Sequence, residues 1–182
     1  SGDKVKISSI TSYITTRINF SSIQANKYIT TDNMLQSFGG ITENTNIPNV
    51  DKVIEYKIGD ILVSNIRPYL KKIYFSTQDG GCSPDVLVFR VNDEKKVLPK
   101  YLYYLMRTDS FFEWAMSDVK GMKMPRGKKE TISSYEVPLI PLDEQEKIVK
   151  LFEDNDRKIY ELQNKITTLL SSQNNLINQE LI

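Results

Sequence analysis

Residues 142–182 read LDEQEKIVKLFEDNDRKIYELQNKITTLLSSQNNLINQELI, a stretch with neither glycine nor proline. Positions Ile148, Phe152, Asn155, Ile159, Leu162, Ile166, Leu169, Gln173, Leu176 and Glu180 recur at alternating spacings of four and three. That is a heptad seam, narrower than the apolar stripe of a helix lying on a globular core. At ~1.5 Å per residue a single helix of this length extends roughly 60 Å. The ~140 residues before it would fold to a diameter on the order of 35 Å, so the helix outruns its own domain and needs a partner helix. Its seam is impure. Asn155, Gln173 and Glu180 are polar, and Glu153-Asp154-Asn155-Asp156 is a poor helix interior that would accommodate a bend. Polar seam positions either fix the register of paired helices or mark a face that is only partly covered.

Working outward, Asp143 and Glu146 have the spacing of a capping box at the start of this helix. The prolines of Val137-Pro138-Leu139-Ile140-Pro141 confine an extended segment to a sheet edge. Pro99 suits the first turn of a helix with its body at Tyr101 to Arg107. Ser110-Phe111-Phe112-Glu113 would cap a second helix running through Val119 and stopped by Gly121. The middle of the chain is the sheet. Val53 to Tyr56 and Ile61 to Val63 flank Ile58-Gly59-Asp60, and Lys72 to Phe75 and Val86 to Val91 flank Asp79-Gly80-Gly81, the pattern of two hairpins. Tyr28 to Thr31 reads as a short strand, Gly39-Gly40 as a turn followed by a loop of about a dozen residues, and Val5 to Ile10 as an edge strand. The polar segment Thr11 to Asn26 stays unassigned. The fold class expected is α+β: a mixed recognition domain over residues 3–141 with a small twisted sheet, then a coiled-coil-type helix over 142–182.

Composition narrows the function. The chain has 182 residues, 40% apolar and 26% charged, and no window approaches the ~18 consecutive apolar residues of a membrane span; a cytoplasmic protein is expected. It has no histidine and one cysteine, Cys82, so internal disulfides, the usual zinc sites and histidine-dependent triads are excluded. No metal or cofactor motif is present. The net charge of +1 divides unevenly: five Lys/Arg against eight Asp/Glu in 142–182 leave nineteen against fifteen before it.

Lys120 to Lys129 carries five cations, two glycines, a proline and no acid. Such a loop either neutralises phosphates, with Arg126 able to read guanine bidentately, or is a solvated connection. Ser64-Asn65-Ile66-Arg67-Pro68-Tyr69-Leu70-Lys71-Lys72 places base-edge and phosphate-contacting residue types between two strands. The alternative is a hairpin loop with Arg67 and Lys71 in surface ion pairs. Pro84-Asp85 with Glu94-Lys95-Lys96 fits the letter pattern of a magnesium-dependent nuclease. One extended strand between them would hold the carboxylates up to ~30 Å apart, too far to share an ion.

Five pieces in order then carry a resemblance: Tyr28 to Leu35; Gly59 to Tyr69; Gly80 to Phe89; Gly121-Met122-Lys123-Met124-Pro125-Arg126-Gly127; and Val137 to Glu146. Together they resemble a target-recognition domain and following helix of the specificity subunit of type I restriction-modification systems. The resemblance implies a non-catalytic module that grips one half of a split double-stranded DNA sequence. It implies a homodimer through antiparallel C-terminal helices, and assembly with methyltransferase subunits and a restriction motor subunit. It implies DNA contact by Thr31, Asn33, Asn65, Arg67, Tyr69, Lys71, Lys72, Lys123, Arg126, Lys128 and Lys129, and a helix interface of Ile148, Phe152, Ile159, Leu162, Ile166, Leu169 and Leu176. A usual specificity subunit has two such domains and two helices, whereas this sequence has one of each, as in a half-subunit or an excised half. The competing classes are a coiled-coil interaction protein whose basic loops bind RNA or acidic protein, and a stand-alone nuclease.

Overall fold

The computed structural model describes residues 2–44, 48–119, 121 and 123–181, with side chains to Gln179. Lys120 and Met122 of the basic loop, the side chain of Glu180 in the seam, and part of the loop after Gly40 lie outside them. Strand β1 (Asp3–Lys6) is followed by one helical turn, α1 (Ile7–Ile10), and by β2 (Thr11–Tyr13) and β3 (Arg17–Asn19). Then come β4 (Tyr28–Ile29), β5 (Lys52–Tyr56), β6 (Ile61–Ser64), β7 (Ile73–Phe75), β8 (Gly80–Cys82) and β9 (Val86–Val91). Helices α2 (Pro99–Met106), α3 (Asp109–Ala115) and α4 (Lys129–Ser133), strand β10 (Glu136–Leu139) and helix α5 (Leu142–Leu181) complete the order.

These strands form two four-stranded sheets, ordered β2-β9-β6-β7 and β3-β5-β8-β4, and a two-stranded ribbon of β1 and β10. The two hairpins expected from the sequence do not form. β5 and β6 belong to different sheets, because the turn between them is built to hand the chain across. Gly59 takes φ +87°, and the fully buried Asp60 carboxylate accepts from Lys57 N–H at 2.7 Å and binds Arg90 of β9 through both oxygens at 2.7 Å. β7 and β9 lie on opposite sides of β6. The diglycine read as a turn is itself strand β8, where a Cβ on Gly80 would collide with Lys27 and Tyr56, and one on Gly81 with Val53.

The central strands β6 and β9 are buried on both faces, which is why they read as unbroken apolar runs. Ile61, Val63, Leu87 and Phe89 pack against Tyr101, Leu102, Met106, Phe111 and Phe112 of α2 and α3. Leu62, Val86 and Val88 pack against Ile29, Ile54, Tyr56 and Cys82 of the second sheet. The cap of α3 is Thr108, whose Oγ1 accepts from Phe111 N–H at 3.3 Å, rather than Ser110. Val5 to Ile10 is half strand and half helical turn.

α5 starts on the carbonyl of Pro141, which accepts from the N–H groups of Glu144 and Gln145, with Asp143 in the first turn rather than at the cap. It then docks. Gln145 is fully buried; its Oε1 accepts from Leu98 N–H, and its Nε2 donates to the carbonyls of Lys96 and Ile140, all at 2.8 Å. Ile148 and Val149 join the first core, and Phe152 stacks on Tyr104 with centroids 5.1 Å apart. Glu153 pairs with Lys100, and Asp156 with Arg107 and the Tyr104 hydroxyl. The acidic run therefore does not break the helix: Lys100 of α2 and Arg107 just after it face the run, and the helix is continuous for 40 residues. From Arg157 to Gln179 every side chain is exposed.

Candidate nucleic-acid interface

β6 delivers the chain into a loop with an unusual backbone. Arg67 (φ 49°) and Lys71 (φ 53°) are left-handed on either side of the turn Pro68–Leu70, a conformation costing roughly 1–2 kcal/mol per residue without glycine. The other two non-glycine residues of this kind among those described, Ser37 and Phe38, lie directly against it. Ser37 N–H donates to Leu70 O at 2.8 Å and Phe38 N–H to Lys71 O at 3.0 Å. Strain of this sort persists where surrounding contacts hold it and concentrates at functional sites.

The basic loop is strapped to the same backbone. Ile66 and Arg126 form an antiparallel bridge, Arg67 N–H donates to Pro125 O at 2.8 Å, and Gly127 N–H donates to Asn65 O at 2.9 Å. A Cβ on Gly127 would press against Ile132, Asn65 and Pro68, so glycine is what allows this approach. The turn into β9 joins from below: Asn65 N–H donates to Asp85 O at 2.8 Å, and the Asp85 carboxylate pairs with Arg126 at 2.7 Å. The two stretches singled out in the sequence are thus one surface, together with a third segment at Asp85, whose match to a nuclease letter pattern the strand geometry argues against. Asp85 and Glu94 stand beyond opposite ends of β9, as the strand geometry required, and no cluster of three potential metal ligands occurs among the described residues.

The structure separates the expected contact residues. Arg126 and Tyr69 are exposed, Tyr69 by 49%, and Tyr69 borders an apolar cavity with Lys71, Phe112 and Met116. Lys123, Lys128 and Lys129 are exposed. Lys128 pairs with Asp118 at 3.1 Å, and Lys129 lies 4.7 Å from the Tyr13 ring centre. The Thr131 hydroxyl, donating to Asp118, together with the Lys128 ammonium, holds that carboxyl below its ordinary range. Lys71 pairs with Asp109 at 2.7 Å and Lys72 donates to the carbonyl of Thr31 at 2.6 Å, so both are tied within the protein, the ion-pair alternative in the case of Lys71. Asn33, expected at the DNA, faces inward. It is buried, with its Oδ1 accepting from Thr30 N–H at 2.7 Å and its Nδ2 donating to Thr42 O at 3.0 Å, and it orders the 30–42 loop. Thr31 is half-buried. Asn65 is buried, yet its Oδ1 and the Nε of Arg67 have no hydrogen-bond partner among the described residues.

Residues 4–171 match the Type I restriction modification DNA specificity domain. The chain belongs to that family. It is 32% identical over 122 residues to the Type I restriction enzyme EcoDI specificity subunit of Escherichia coli, covering 67% of this chain and 27% of that protein. The fold matches a chain solved in work on complex assembly and conformational transition of the type I R-M system, with TM-score 0.70, 22% identity, and coverage of 90% of this chain and 44% of that one. It also matches the HsdS subunit from Thermoanaerobacter tengcongensis, with TM-score 0.69, 21% identity, and coverage of 89% and 44%. The chain therefore spans less than half the length of each of these relatives. Within the specificity family the strapped loops are its candidate DNA-facing surface. Sequence reasoning missed Asp85 as a member of that surface and the Ser37-Phe38 brace, for which only the neighbouring diglycine gave a signal.

Proposed function

We propose that residues 3–141 read one half of a bipartite double-stranded DNA site and that residues 142–182 are a spacer helix. The module positions methyltransferase subunits and, for cleavage, a restriction motor subunit, and performs no catalysis itself. It works in the cytoplasm. The observation that carries this reading is the strap between Ile66 and Arg126, which fuses two cation-bearing loops into one surface on a family fold whose described role is DNA specificity. Arg126, Arg67, Tyr69 and Asn65 would orient or read base edges, while Lys123, Lys128 and Lys129 would neutralise phosphates. The exposed seam of α5, from Ile159 through Leu162, Ile166 and Leu169 to Leu176, would pair antiparallel with an equivalent helix, its opposite face docking the methyltransferase. An apolar row of this length left in water is costly and is relieved by a partner.

The test is selection from a pool of randomised duplexes, repeated across salt concentrations. Arg67→Ala and Arg126→Ala should each relax one base position and cost on the order of 1–3 kcal/mol. Lys123→Ala and Lys128→Ala should weaken all sequences alike and flatten the salt slope. Salt-independent binding without sequence preference would sink the proposal, and capture of RNA or acidic protein instead would favour the interaction-protein class.

A further inference from the structure

We infer that Asp85 is a positioning residue for base discrimination: its carboxylate holds the Arg126 guanidinium in the orientation in which it meets a base edge. The inference rests on the DNA-reading proposal above.

Asp85 is an anion on a face whose cations would serve to attract phosphate, so it lowers affinity for any duplex. Its pair with Arg126 spans 2.7 Å with side chains 39% and 58% exposed, and pairs this open contribute little to stability. Neither affinity nor folding accounts for a carboxylate here. Orientation does. The Asp85 carbonyl is held by Asn65 N–H, and the next residue, Val86, is paired in register with Ser64, so the carboxylate stands at the fixed end of a central strand. The backbone of Arg126 is bridged to Ile66. Both partners of the ion pair are therefore anchored on the same three-residue run, Ser64 to Ile66, though 41 positions separate them in sequence (126 − 85).

A guanidinium carries five N–H donors in a planar fork. The contact of Nη1 with the anchored Asp85 carboxylate narrows the positions open to the fork, so less side-chain entropy is lost on binding. The residues on either side of Ile66 each hold a buried polar atom with no partner among the described residues, the acceptor Asn65 Oδ1 and the donor Arg67 Nε. Gly127 lies close to the first, since a Cβ there would lie 3.2 Å from Asn65 Oδ1. A guanidinium tethered to an anchored carboxylate, with donors left over, suits reading a base edge better than holding a phosphate.

The experiment compares the intact chain with Asp85→Asn, Asp85→Ala, Asp85→Glu, Arg126→Ala and the Asp85→Asn/Arg126→Ala double variant, sequencing the duplexes retained from a randomised pool. Asp85→Asn should raise affinity for random duplex about 2- to 5-fold at low salt by removing an anion. It should also reduce discrimination at one base position between about 5- and 150-fold, the range of one bidentate contact. The position relaxed should be the one relaxed by Arg126→Ala, Asp85→Glu should recover part of the preference, and the double variant should be no worse there than Arg126→Ala alone. Asp85→Asn is nearly isosteric and decides the matter if Asp85→Ala melts early. Raised affinity with every base preference intact overturns the inference while leaving the DNA-reading proposal standing, as does relaxation at a position unrelated to Arg126. A wild-type chain with no base preference overturns both.

Discussion

The two halves of α5 share one heptad pattern and have opposite fates. Over the first, Leu142 to Asp156, the helix is bound to its own domain by Gln145, Ile148, Phe152 and Asp156. Over the second, Arg157 to Gln179, no described residue of the domain covers the seam, and Leu162, Ile166 and Leu169 are 57–60% exposed. A periodic apolar row states that a helix face wants covering; it does not state by what. The difference lies in the residues between the apolar ones. The docked half carries an amide and two acids that find Leu98 N–H, Lys100 and Arg107 on the domain, whereas the free half offers mainly uncharged polar residues and reaches beyond any surface of its own.

This contrast can be broken most severely at the free half. Leu162→Lys or Leu169→Glu should weaken helix pairing by about 3–6 kcal/mol for a symmetric pair, with the domain's melting unchanged. Sedimentation across a concentration series reads this, and a variant still paired would assign the free seam another role. Next in size, Gln145→Ala leaves the Leu98 donor and the Lys96 and Ile140 acceptors unpaired inside the protein. Denaturant unfolding should show a loss of about 2–4 kcal/mol, while the pairing proposed for the free half should be unaffected. Smaller still, Arg107→Ala removes a half-exposed ion pair and should cost about 1 kcal/mol, seen best as faster amide exchange near residues 152–157. Retained protection there would mean the stacking of Phe152 suffices alone. The smallest effect appears only in base. Burial, then the hydrogen bond to Asp156, pushes the Tyr104 hydroxyl above its ordinary value of 10.0. Ionising it is what costs, so docking is undisturbed below about pH 10 and weakens as pH rises toward the folded-state value. Tyr104→Phe should remove that pH dependence and leave the curve at neutral pH almost unmoved.

Much of the layout was legible because it is local. Pro99 marks the start of α2, the prolines beside Leu139 mark an edge strand, and the runs 61–63 and 86–91 are strands. Pairing was not legible. Two apolar runs around Gly59 look like a hairpin because the nearest partner is the cheapest loop to close, yet Asp60 meets Arg90, thirty residues on, and the strands part into separate sheets. Gly80-Gly81 looks like a turn because glycine's tolerance of close approach and its freedom of φ leave the same letters. At the candidate interface the cationic loops were visible as composition. That Lys71 and Lys72 are engaged by Asp109 and Thr31, that Asn33 orders its own loop, and that Asp85 faces Arg126 depends on partners distant in sequence.

By itself, then, the sequence determined the long helix, its apolar seam, the buried strands and the two cation-rich loops, since periodicity, propensity and charge act within a few residues of their cause. Only the tertiary structure decided which strands share a sheet, how far the domain covers the helix, and that residues 65, 85 and 126 meet. Those outcomes turn on single buried hydrogen bonds and ion pairs whose partners the chain must fold to bring together.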